Sequence, residues 1–246
     1  MITGFLSGLL GIGGGIILGP LLLYVPPVFD LGPLSMRDVA GLTIVQGLLA
    51  CLGGVLIHRK FHFVSDKLSV CMGITIFITA GIGGAASGFI ANDILLFIFA
   101  SLAFAAAILM IKPIRNDAEK PDGAIVHFRW QRAVGVASGV GLLGGMIGQG
   151  GSFILIPLMR SYVKIPTRIA IGSNLAIVLL SSLAAFISKA ATGQIQWLMT
   201  IPIVFTVIPF ACLGGYVSST VSILGLQRLL ACVIAFSALW MWFSLL

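Results

Sequence analysis

Residues 7–21 read SGLLGIGGGIILGPL, and residues 144–158 read GGMIGQGGSFILIPL. Laid over each other without a gap, they are identical at Gly8/Gly145, Gly11/Gly148, Gly13/Gly150, Gly14/Gly151, Ile17/Ile154, Leu18/Leu155, Pro20/Pro157 and Leu21/Leu158. Matched Leu and Ile arise by chance in an apolar chain, but a matched Gly-Gly followed by a matched Pro does not. The chain is therefore read as two copies of one unit. The correspondence continues at a slightly different spacing: Arg37 with Arg168, Gly41 with Gly172, Thr43 with Asn174, His58 with Lys189, Gly83-Gly84 with Gly214-Gly215 and Ser87 with Ser218. Each copy is one glycine-rich element followed by three helices.

The composition says where such a unit lives. Of 246 residues, 59% are apolar and 9% charged, against about 25% charged in a soluble domain. The mean hydropathy is +1.16, too apolar to cover a core with a polar surface. This excludes a soluble enzyme, a disordered regulator and a nucleic-acid-binding domain. The 31 glycines fit membrane helices, where glycine lets backbones approach closely. The net charge of +7 reads as basic cytoplasmic loops. Met1 runs straight into apolar residues with no basic stretch, so no cleavable signal sequence is expected. The four cysteines, Cys51, Cys71, Cys212 and Cys232, lie in apolar runs without a CxxC pattern and read as packing residues.

Charged residues divide the chain into eight uncharged stretches: 1–29, 39–58, 68–92, 94–111, 133–159, 169–188, 190–227 and 229–246. A span needs about 20 apolar residues, and all eight are near that length or longer. In the 190–227 stretch a polar connection precedes a helix that starts near Trp197. Trp130, Trp197, Trp240, Trp242, Tyr24 and Tyr162 fall near the expected ends, where aromatic belts belong. Residues 112–132 form the only long hydrophilic segment. The organisation is an N-terminal membrane repeat (1–111), a cytoplasmic linker (112–132) and a C-terminal membrane repeat (133–246).

Gly11-Ile12-Gly13-Gly14-Gly15 with Pro20, and Gly148-Gln149-Gly150-Gly151-Ser152 with Pro157, are poor helix interiors, at about 1 kcal/mol per glycine relative to alanine. Each element is either a broken helix that still spans or a re-entrant hairpin whose arms meet at the glycines. Unwound backbone at that depth requires surrounding protein or a water-filled cavity. If all eight segments span, Lys and Arg divide nine to five; if both glycine-rich elements re-enter, they divide twelve to two. The positive-inside rule favours re-entry. One hairpin plus three spans is an odd number of crossings, so the second half then enters the membrane inverted. That plan recurs in transporters.

All seven acids lie in loops or at span ends, which argues against a carboxylate proton relay or cation site within the bilayer. What remains at depth are backbone amides at the glycines and small polar side chains, which suit an anion. The candidate substrate-binding residues are Gly11, Gly13, Gly14, Gly15, Thr43, Gly148, Gln149, Gly150, Gly151, Ser152 and Asn174. Arg37 and Arg168, at helix starts, are candidates for attracting the anion, set against ordinary interfacial anchoring. For Thr43 and Asn174 the competing role is helix–helix hydrogen bonding. His58 and Lys189 are expected to snorkel toward the interface. No metal ligand set, cofactor motif or catalytic constellation is visible, so no enzyme activity is expected.

The paired glycine motifs, with Ala40-Gly41-Leu42-Thr43 and Ile171-Gly172-Ser173-Asn174-Leu175, resemble the sulfite exporter TauE/SafE family of membrane permeases across nearly the whole chain. The resemblance implies a multi-pass protein of the bacterial inner membrane that moves sulfur-containing anions such as sulfite and organosulfonates. The expectation is an all-α polytopic membrane protein of two homologous halves, each a glycine-rich broken or re-entrant helix plus three transmembrane helices, with the halves inverted. It would carry a small anion by alternating access, with the lipid bilayer as surroundings, no nucleic-acid partner, and room for a homo-oligomer. The alternatives are an anion channel with the same pore and a membrane subunit of a larger complex.

Overall fold

In the computed structural model, residues 1–28, 34–111, 128–148 and 151–245 are described. Most of the 112–132 linker, together with Gln149 and Gly150, lies outside them. The first 1–29 stretch is two helices, α1 (Ile2–Leu10) and α2 (Gly15–Val28). The long helices α3 (Met36–Lys60), α4 (Asp66–Ala86) and α5 (Asn92–Ile111) follow. After the linker come α6 (Trp130–Met146), a short α7 (Ser152–Leu158) that runs into a π-helical turn at Met159–Val163, and then α8 (Thr167–Ala191), α9 (Trp197–Thr220) and α10 (Ile223–Leu245). The described residues contain no strand. Among the described residues, five helices are long and apolar enough to cross a membrane: Met36–Lys60, Asp66–Phe89 (α4 with a 3-10 turn), Asn92–Leu109, Thr167–Ala191 and Trp197–Thr220. Large apolar side chains such as Phe89, Leu198 and Phe205 face outward, as in a protein solvated by lipid. The chain is a multi-pass membrane protein.

Helix ends follow local chemistry. Ser35 and Asp38 form a capping box that opens α3, with Asp38 N donating to Ser35 Oγ at 3.2 Å and Ser35 N to Asp38 Oδ2 at 3.3 Å. The last turn of α3 carries Arg59 and Lys60, cations where the helix dipole is negative. Trp130 and Trp197 begin α6 and α9 and are exposed, as belt residues should be. Cys51 is buried, Cys71 and Cys212 are half-buried and Cys232 is exposed, all as free thiols.

The packing repeats itself. Helix α1 crosses α9 and α6 crosses α4; α3 packs on α9 and α4 on α8; α5 faces α7 and α2 faces α10; α3 meets α8 and α5 meets α10. The crossings use the matched glycines. A Cβ at Gly8 would overlap the Ala211 carbonyl and one at Gly145 the Ala80 carbonyl; a Cβ at Gly214 would overlap the Phe5 carbonyl and one at Gly83 the Leu142 carbonyl. In each pair the glycines are the ones that the sequence alignment matched, and the residues they meet fall at the same two spacings, so the same close helix crossing is built twice.

The ends of the long helices are tied together. Gln196, just before α9, donates to Asp38 Oδ1 at 2.9 Å, near the start of α3. Ser65 N, after α3, donates to Ser173 Oγ at 2.9 Å, near the start of α8. Arg132 Nη1, at the start of α6, donates to the Tyr162 carbonyl at 3.4 Å, in the π-helical turn.

Candidate functional site

The two glycine clusters are backbone breaks. Gly11 (φ 71), Gly13 (φ 63) and Gly14 (φ 74) in the first, and Gly148 (φ 75) and Gly151 (φ 70) in the second, are all left-handed. A side chain would strain there, and only glycine takes this backbone without cost. Gly11 ends α1, its N–H bonding the Ser7 carbonyl at 2.8 Å. Gly14 then starts α2, its carbonyl accepting from Ile17 N at 3.2 Å and Leu18 N at 3.1 Å. Gly151 opens α7 in the same way. Both breaks are wrapped by protein: Gly11 lies against the Ile171 backbone of α8, and Gly148 against the Ala40 backbone of α3.

Thr43 and Asn174 bind across this wrap reciprocally. Thr43 Oγ1 lies 3.1 Å from the Gly148 carbonyl and 2.8 Å from the Val39 carbonyl of its own helix, and its one proton serves both in turn. Asn174 Nδ2 donates to the Gly11 carbonyl and, at 3.1 Å, to the Ser152 carbonyl. Ser152 Oγ in turn donates to the Ile12 carbonyl. The polar residue of each long helix therefore holds the break that it faces from the other glycine cluster. Thr43, Ser152 and Asn174 are at most 1% exposed. Gly13 lies against the Ser152 side chain, so the two clusters adjoin, and Gly11, Gly13, Gly14, Gly15, Gly148 and Gly151 are all buried.

Arg37 and Arg168 sit apart, at helix ends. Arg37 Nη2 donates to the Ile90 carbonyl at 3.4 Å, while Arg168 donates to Ser218 O at 3.1 Å and Val221 O at 2.9 Å. Arg168 also lies 5.3 Å over the Phe63 ring. Both put a cation against the carbonyl end of a helix, the favourable end of the dipole.

The snorkelling expected of His58 and Lys189 is corrected. His58 is 2% exposed and Lys189 is 0% exposed. Lys189 Nζ turns inward to Ser87 Oγ at 2.7 Å, Gln194 Oε1 at 3.1 Å and Met146 O at 3.5 Å. His58 Nε2 is 3.1 Å from the Gly8 carbonyl. Each therefore reaches the carbonyl end of a glycine-rich arm, α1 or α6, where a donor is worth more than exposure to the interface.

Two further polar residues escaped the sequence reading. Gln46, on α3, and Ser182, on α8, are both 0% exposed. Neither end of the Gln46 amide nor the Ser182 hydroxyl has a hydrogen-bond partner. A single Gln or Ser in an apolar helix carries no spacing signal, and their aligned positions are Ile177 and Cys51. The cavity of about 340 Å³ between α1, α2 and α10 is a different place. It is walled mainly by apolar side chains such as Leu6, Ile17 and Phe236 and offers an anion almost nothing.

The family model for sulfite exporter TauE/SafE matches residues 1–241. The chain belongs to the sulfite exporter TauE/SafE family. Its TauE/SafE relatives include the probable membrane transporter protein YunE of Bacillus subtilis, 25% identical over 90% of this chain and 85% of the relative. A probable membrane transporter protein of Methanocaldococcus jannaschii is 24% identical over 98% of this chain and 91% of that relative. One from Xylella fastidiosa is 25% identical over 90% and 83%. No solved structure matches this TauE/SafE chain.

Proposed function

We propose that this TauE/SafE protein is a secondary transporter of a small anion, a sulfur oxyanion or organosulfonate, in the bacterial inner membrane. Family membership supports transport, and the observation that carries the site is the pair of glycine breaks enclosed by protein and held from across the molecule. Gly11, Gly13, Gly14, Gly15, Gly148, Gln149, Gly150, Gly151 and Ser152 would line the path, with Thr43 and Asn174 as polar contacts. An anion there meets helix ends and amides and no carboxylate, because all seven acids lie in loops or near span ends. Arg37 and Arg168 add positive charge near the two mouths.

In this reading the N-terminal repeat (1–111) and the C-terminal repeat (133–246) are homologous and inverted, each a re-entrant hairpin plus three spans, joined by a cytoplasmic linker at 112–132. The support is in the helix ends. The start of α3 is tied to the turn after α8, and the turn after α3 is tied to the start of α8. The start of α6 is tied to the far end of its own returning arm. With these ends together, twelve of the fourteen Lys and Arg fall on one side, which the positive-inside rule makes cytoplasmic. Alternating access follows: the cross-bonds of Thr43 and Asn174 couple each hairpin to the opposite long helix, and rocking of the halves opens one mouth as it closes the other.

The test is uptake into liposomes holding only the purified protein, with sulfite, sulfoacetate, taurine, thiosulfate and sulfate offered in turn. Saturable uptake of one or more supports the transporter. Flux that rises without saturation favours an anion channel, and no flux favours a subunit of a larger complex.

A further inference from the structure

The two hairpins are not chemically equal at their breaks. At the second, Ser152 closes its hydrogen bond on Ile12 O, and Asn174 spends its Nδ2 donors on backbone carbonyls, leaving only its acceptor Oδ1 unpartnered. At the first, the Gln46 amide nitrogen lies so close to Gly14 that a Cβ there would collide with it. Ser182 Oγ approaches from α8, 3.4 Å from where a Cβ of Gly47 would stand, beside Gly13 O. Both side chains are fully enclosed and both lack partners. An enclosed polar group without a partner costs about 1–3 kcal/mol. Two at one spot, near the midpoints of two long helices, describe a place that awaits a ligand. The opening amides of α2, a helix of 14 residues, have no acceptor within their own helix and carry the positive end of its dipole.

We infer that the α2 N-terminus at Gly13–Ile16, Gln46 Nε2 and Ser182 Oγ together form an oxyanion subsite for the –SO₃ group of sulfite or a sulfonate. Every donor is neutral and none is paired with an acid. Gly13 and Gly14 have no side chain to hold an oxygen away from the amides. The subsite belongs to the first hairpin alone, since Ile177 occupies the position of Gln46 in the second half. That the bound anion is also the cargo rests on the transporter reading above; the subsite itself does not.

Sulfite and methanesulfonate are titrated against the full-length protein in detergent by thermal melting, and sulfite uptake is measured in parallel in liposomes. The wild type is stabilised by both anions. Gln46→Glu, isosteric but anionic, offers its own carboxylate to the α2 amides. It melts at or above the wild-type temperature and binds sulfite at least about tenfold more weakly. Ser182→Ala weakens binding by a similar factor. Ser69→Ala removes another buried, unpartnered hydroxyl on α4 and leaves binding unchanged. Anion binding within about twofold of wild type in both Gln46→Glu and Ser182→Ala overturns the subsite, as does a wild type that neither anion stabilises. Loss of binding in Gln46→Glu, with no uptake by the wild type, upholds the subsite and sinks the transporter reading instead.

Discussion

The Thr43 hydroxyl lies 3.1 Å from the carbonyl of Gly148, a residue 105 positions away in the chain. Asn174 makes the matching bond to Gly11 from the other side. These two contacts fix each backbone break against the opposite long helix. Thr43→Val and Asn174→Leu are expected to lower stability by about 1–3 kcal/mol each, because a buried carbonyl loses its donor. Melting in detergent, with circular dichroism to confirm retained helix, checks this. Unchanged melting in both variants would show that the bonds hold nothing in place.

The breaks themselves should tolerate no side chain. Gly14 is left-handed and packed on Gln46 and the Thr3 carbonyl; Gly151 is left-handed and packed on Val140. Gly14→Leu and Gly151→Leu combine backbone strain of about 1 kcal/mol or more with steric overlap. Each is expected to abolish anion uptake even where enough protein is recovered to assay.

Glycines elsewhere separate into two kinds. Gly8 and Gly145 sit at helix crossings with no room for a methyl group, while a Cβ at Gly135 or Gly139 on α6 would meet nothing within 4 Å. Gly8→Ala and Gly145→Ala are expected to destabilise by about 1–3 kcal/mol. Gly135→Ala and Gly139→Ala are expected to stabilise by about 0.5–1 kcal/mol through helix propensity. Melting temperatures of the four variants should split by sign.

Lys189 offers a charge test. Its amine bridges Ser87 and Gln194, and Ser87 Oγ already donates to Gln194 Oε1 at 3.0 Å, a bond that remains once the amine is gone. Lys189→Met should therefore change stability by no more than about 1 kcal/mol. Lys189→Glu, which buries an anion against the Met146 carbonyl, should prevent accumulation of folded protein. Expression and gel filtration of the pair read this out.

Topology has its own marker. Lys164, between the second hairpin and α8, lies on the cytoplasmic side if the hairpin re-enters, and on the opposite side if the segment spans. The thiol introduced by Lys164→Cys should be shielded from an impermeant reagent in intact cells and labelled in inverted vesicles. Labelling in intact cells would sink the inverted arrangement.

The backbone plan was legible because glycine and proline act locally. A Gly-Gly beside a Pro breaks a helix whatever surrounds it, and the breaks stand where the repeated motif put them. Five spans, those of α3, α4, α5, α8 and α9, were legible from the positions of charge. Partners across the molecule were not. That Thr43 and Asn174 form a matched polar pair could be read from their alignment, but not that each would face a glycine carbonyl of the other half. Lys189 looked like a residue at a helix end because Ser87 and Gln194, which draw it inward, are themselves ordinary polar residues in sequence. Gln46 left no trace at all: its counterpart is Ile177, so the repeat that pointed to the other candidate residues hid this one.

The most direct measurement is exchange of labelled sulfite across liposomes that contain only this protein. Internal unlabelled sulfite should accelerate entry of the label, the entry should saturate, and Gly14→Leu should eliminate it. Entry that ignores internal sulfite, or that survives Gly14→Leu unchanged, would contradict an anion carrier built around the paired glycine breaks.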